Sequence, residues 1–95
     1  MGTLYKTDPL LRLIPEEEMP GSFVGLSDAE QRWRGRLYLM MFSMSGHAPH
    51  AWFVALSREP DHTKDMKALV AATPDEKIIA ALRGQAKMQA EMVSV

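Results

Sequence analysis

Ninety-five residues with 46% hydrophobic side chains read as one small folded domain rather than a disordered chain. Eleven basic residues stand against twelve acidic ones, a net charge of −1, and neither half of the chain is strongly charged; no global field draws it to nucleic acid or to an anionic membrane. With no cysteine, the sequence excludes disulfides, iron–sulfur clusters, thiolate zinc sites and cysteine catalysis.

Residues 1–26 read as an irregular N-terminal arm. Lys6, Asp8, Pro9 and Arg12 interrupt any secretory apolar run, and Pro9, Pro15, Pro20 with Gly2, Gly21 and Gly25 forbid a long helix. Asp8-Pro9 predicts one capped turn as far as Ile14, carrying Leu10, Leu11 and Leu13. Glu16, Glu17 and Glu18 read as a solvated loop, and the leucines and Phe23 pin the arm to the rest.

Residues 27–95 read as the helical domain. Ser27-Asp28-Ala29-Glu30 is a capping box, so a helix follows it. At 100° per residue, Trp33, Leu37, Met40, Met41 and Met44 form a core-facing stripe, with Leu39 and Phe42 on the opposite side. Ser45-Gly46 supplies a left-handed stop. Pro49 opens a second helix running to Ser57 or Arg58, with Trp52, Phe53 and Leu56 on one face, and Pro60 ends it. Residues 37–57 carry no formal charge and have arginines on both sides, but Ser43, Ser45, Gly46, His47, Pro49 and His50 fill their centre. Two buried elements joined by a turn fit that run better than a membrane span.

A third helix is expected from Asp61 to Ala72, with Met66, Leu69 and Val70 inward. Thr73-Pro74-Asp75-Glu76 is a second capping box, opening a helix that reaches about Met92. Its apolar stripe is Ile78, Ile79, Leu82, Ala86, Ala90 and Val93, and Gly84 predicts a close helix crossing. The fold expected is therefore all-α, a compact bundle of about four short helices. The alternative is α+β, with a hairpin over 36–57 followed by two helices. It suffers from a long connection and from the lack of any Asn-Gly or Asp-Gly turn.

No enzymatic motif is present: no Gly-x-Ser-x-Gly elbow, no phosphate loop and no dinucleotide fingerprint. Asp61 and Asp65 lie one turn apart and read as a solvated pair. His47 and His50 have metal-like spacing, and His62 with Asp61 or Asp65 completes a possible nitrogen–oxygen set. Pro49 puts His47 outside the helix, so these histidines read as surface residues, and no metal or other cofactor is expected. Arg32, Arg34 and Arg36, interleaved with Trp33, suit phosphates and stacked bases if they share a face. On a helix, Arg34 points away from the other two. Leu39 and Phe42, with Tyr38 beside them, form an apolar face that a small core leaves for a second layer.

The functional expectation is a non-enzymatic, cytoplasmic protein-binding module that self-associates, such as a small bacterial or phage accessory or inhibitor protein. Leu39, Phe42 and Tyr38 are its candidate partner-binding residues. The alternative is a nucleic-acid or nucleotide-binding protein using Arg32, Arg34, Arg36 and Trp33. A histidine-based metal-binding protein is the third reading.

Overall fold

The Ser27 hydroxyl accepts a hydrogen bond from the Glu30 N–H at 3.3 Å, and the chain turns helical. The resulting helix, α1, runs Asp28–Ser45 and stops at Gly46. There φ is +67°, and the Gly46 N–H donates to the Phe42 carbonyl at 2.7 Å. The computed structural model describes residues 7–19, 21–56 and 60–93, and within these the side chains of all but residues 16, 22, 24, 60–63, 92 and 93. Three further helices follow: α2 (Ala48–Ala55), α3 (Pro60–Ala72) and α4 (Asp75–Val93). The fold is all-α, with no strand among the described residues, and residues 36–56 form a helix–turn–helix rather than a hairpin.

Every substantial interface between elements has α1 on one side. α2 returns antiparallel to it: Arg34 of α1 donates to the Ala55 carbonyl at 3.2 Å, and Tyr38 stacks on Trp52 with ring centroids 4.0 Å apart. α3 flanks the first half of α1, where Lys67 lies 5.1 Å above the Trp33 ring. The turn into α4 is held by Arg36, which donates to the Thr73 carbonyl at 2.8 Å and pairs with Asp75. α4 then runs alongside the second half of α1, in the same direction, so that Gln85 and Gln89 lie against Gly46.

The arm lies against α1 at Gly35. Asp8 accepts the Leu10 and Leu11 N–H groups at 2.9 and 3.2 Å, shaping a 3-10 turn at Leu11–Leu13. Leu10, Leu11, Ile14 and Phe23 are buried. A Cβ on Gly35 would stand 2.3 Å from Leu11 Cδ2 and 3.2 Å from Phe23 Cζ, so only glycine admits this approach without a shift. The predicted close crossing at Gly84 is not there. A Cβ at Gly84 meets nothing within 4 Å, and the intimate contact is at Gly35 instead.

Four more expectations change, the first because α1 is central. Its predicted stripe holds at Trp33 and Leu37, weakens at the half-buried Met40 and Met41, and fails at Met44, which is 77% exposed. The opposite side, Tyr38 and Leu39, is buried as well. On α2, Trp52 packs inward with Ala51 and Ala55, whereas Phe53 points out at 76% exposure. The inward face of α2 is therefore Ala51, Trp52 and Ala55. Leu69 of α3 is exposed while Val70 is buried. The Thr73 hydroxyl donates to the Leu69 carbonyl at 2.8 Å, closing α3 rather than capping α4. The predicted end of α2 at Ser57 or Arg58 lies outside the described residues.

Candidate functional site

The arm, α1 and the first half of α4 do not close on one another completely. Between them lies a groove of about 420 Å³. Its floor is the Tyr38, Leu39 and Phe42 side of α1. Leu13, Pro15 and Glu18 form the arm wall, and Ile79, Leu82, Arg83 and Ala86 form the α4 wall. Helical periodicity explains this convergence: 38, 39 and 42 share a side of α1, and 79, 82, 83 and 86 share a side of α4.

Tyr38 is the only polar residue of the floor, and its hydroxyl donates to the Glu18 carboxylate at 3.0 Å. Burial, reinforced by this hydrogen bond and by the Glu18 charge, pushes the phenol well above its ordinary range and keeps it neutral. The ring belongs to an aromatic series. Phe23 meets Trp52 edge-on at 5.2 Å, Trp52 stacks on Tyr38, and Tyr38 stacks on Phe42 at 5.8 Å. The groove floor is therefore the outer layer of the core, continuous with it through Tyr38. Trp52 is the one unsatisfied member: its buried indole N–H has no partner among the described residues.

On the α4 wall, Arg83 is exposed and has no carboxylate partner among the described residues. The groove thus has an apolar floor, a carboxylate occupied by a phenol on one wall and an uncommitted guanidinium on the other.

The other sequence candidates lie elsewhere. Arg34 pairs with Glu30 at 2.7 Å and bonds Ala55, and Arg36 bonds Thr73 and Asp75. Both guanidiniums tie helices together, and only Arg32 of the three is exposed. Trp33 is buried; its indole N–H donates to Glu30 at 3.0 Å, and the Arg34 guanidinium lies 4.8 Å from its ring centre. Glu30 gathers Trp33, Arg34 and, at 3.7 Å, Lys67. The Arg34 hydrogen bond holds its carboxyl below the usual range, against the opposing effect of partial burial. Glu30 therefore does not close the capping box reciprocally. The arginine ladder on one face does not form.

His47 and His50 are exposed at the α1–α2 turn. The side chains of His62 and Asp61 lie outside those described, and no cluster of three metal-ligating side chains occurs among the described residues. The Ser43 and Ser45 hydroxyls donate to the Met40 and Met41 carbonyls. No described helix is long and apolar enough to cross a membrane.

Sequence reasoning picked out the floor of the groove but not its walls. Arg83 and Leu82 read as an ordinary flank and stripe of α4, and nothing in the sequence said that Leu13 and Pro15 would stand opposite them. Comparison with known protein families, with curated proteins and with solved structures returns no match, so any functional reading rests on the chemistry of the groove alone.

Proposed function

We propose that this chain is a non-enzymatic, cytoplasmic protein-binding module whose receptor is the groove between the arm and α4. One observation carries the reading: the groove is apolar throughout its floor, and the only polar floor atom is already bonded within the chain. A small-molecule site fixes its ligand with several convergent polar groups, and this floor has none to offer. What suits it is a set of apolar side chains whose orientation is fixed from outside, by the body of another protein. A volume of about 420 Å³ corresponds to about fourteen waters, or roughly three leucine-sized side chains. Leu13, 48% exposed at the rim, extends the apolar surface outward as an interface does. A second copy of the chain is the first partner to consider; Phe42 is only half-buried and open to it, whereas Leu39, expected to bind beside it, is already buried within the chain.

Site-directed photo-crosslinking tests this. A benzophenone amino acid replaces Leu13 in one variant and Lys77, on a different side of α4, in a control. Discrete protein adducts are expected from position 13 only. An adduct of twice the monomer mass, formed by purified protein, identifies a second copy as partner. Equal labelling from both positions, or none from position 13 in purified protein and in its native host, removes the groove as a protein receptor.

A further inference from the structure

Resting on that reading, we infer that the segment the groove accepts is an amphipathic α-helix, with an acidic edge turned toward Arg83. Two observations lead there, one about the backbone and one about charge.

The groove offers side chains and no backbone edge. Its walls are a helix and a tight arm, its floor is a helix, and no strand occurs among the described residues. An extended peptide laid in such a groove gets no backbone pairing from its walls, and each N–H or C=O group turned to the floor loses water without a partner, at about 1–3 kcal/mol. A helix satisfies its own backbone and presents apolar side chains three and four residues apart, the arrangement that grooves between helices accept. The available volume matches about three such anchors.

The rim sets the orientation. On the α4 wall, Arg83 has no carboxylate partner among the described residues, and Lys87 lies one turn further along the same helix, also exposed. On the arm wall stands the Glu18 carboxylate, which accepts from Tyr38 at the mouth of the groove. An incoming helix therefore meets positive charge on one side of its apolar stripe and negative charge on the other. Acidic residues along the α4-facing edge gain Arg83 and Lys87, whereas on the arm-facing edge they meet Glu18. This asymmetry selects both the charge of the segment and the side on which it lies.

The probes are two capped synthetic peptides with one leucine stripe, flanked on one edge by glutamates or by lysines, titrated into the 95-residue chain by fluorescence anisotropy. The glutamate peptide is expected to bind about threefold to tenfold more tightly at low salt, the range of one rim charge pair turned from attraction to repulsion. That margin shrinks at high salt. Arg83→Glu should reverse the order while leaving the helical circular dichroism and the melting curve in place, since Arg83 is exposed. If both peptides bind equally and Arg83→Glu changes neither, the groove stands as a helix receptor and the charge inference is wrong. If neither binds, this inference is wrong, and the crosslinking at position 13 alone decides whether the groove receives a protein. If dodecanoate binds and the peptides do not, the groove belongs to a lipid-like ligand and the helix inference is overturned.

Discussion

α1 and α4 are almost the same length, 18 and 19 residues, and they meet opposite fates. α4 has the cleaner amphipathic pattern, yet among its described side chains only Ile78 is fully buried and most are exposed. α1 has apolar residues on opposing sides, and Trp33, Leu37, Tyr38 and Leu39 are all buried. Topology accounts for the difference. α4 begins beside Arg36 and runs in the same direction as α1, which ends at Ser45. The remaining stretch of α1 is about 15 Å long and α4 is about 28 Å, so the far end of α4 has no α1 beside it. An amphipathic stripe gives the direction in which a helix seeks cover. It does not say whether the fold supplies any.

The sharpest way to break this comparison is to truncate one leucine on each helix. Leu37 of α1 has no exposed surface, and Leu37→Ala should cost about 2–5 kcal/mol. Leu82 of α4, half-buried in the groove wall, should cost only about 1 kcal/mol when it becomes alanine. Urea denaturation of the two variants measures both. Equal losses would mean that α4 is as deeply integrated as α1, and that the groove is closed in solution.

What was legible in the sequence is local. Ser27 and Gly46 mark the ends of α1 because capping chemistry is set by a few neighbouring residues. Asp8 shapes the arm turn for the same reason. Leu39, opposite the main stripe of α1, called for a second layer from the arm or from another subunit; Leu39 is buried within the chain, where the arm and α4 line the groove beside it. What stayed hidden depends on which elements meet. Thr73 has the sequence of a helix cap, yet its hydroxyl bonds backward to Leu69. Arg34 and Arg36 look like a basic cluster until their partners, Ala55, Thr73 and Asp75, arrive from residues about twenty to forty positions away. Phe53 has the apolar character of a core residue, but the inward face of α2 is taken by Ala51, Trp52 and Ala55. The groove itself needs Leu13 and Leu82 opposite each other, and no local pattern encodes that.

Glycine sharpens the comparison further, because one substitution should have opposite signs on the two helices. Gly35→Ala on α1 gains about 1 kcal/mol of helix propensity. Its Cβ, however, meets the fully buried Leu11 at 2.3 Å, and overpacking of this kind costs about 1–3 kcal/mol. A net destabilisation is expected, with the arm displaced. Gly84→Ala on α4 meets nothing within 4 Å and should stabilise by up to about 1 kcal/mol. In a domain of this size, about 1 kcal/mol moves the melting temperature by about 4–8 °C, so the two melts should shift in opposite directions. A stabilised Gly35→Ala would show that the arm does not rest on α1 as described.

The smallest effect tests whether α1 is enclosed on its arm side. Tyr38→Phe keeps the ring stack and deletes the hydroxyl that donates to Glu18, so the neutral-pH loss should be about 0.5–1.5 kcal/mol. The pH dependence is the more telling signal. Burial, the Glu18 hydrogen bond and the Glu18 charge raise the Tyr38 phenol above its ordinary value of 10.0. Near and above about pH 10 the unfolded chain releases the Tyr38 proton while the folded chain retains it. The unfolded state then binds fewer protons, and stability falls as pH rises. This contribution is fully present below the ordinary tyrosine range and is lost on the alkaline side. Other groups titrate there too, so the quantity to read is the difference between wild type and Tyr38→Phe across alkaline denaturation curves. That difference should be steady through neutral pH and should narrow above about pH 10. Parallel curves throughout would mean that water reaches the Tyr38 hydroxyl freely. The arm would then not cover that side of α1, and the groove would have one wall instead of two.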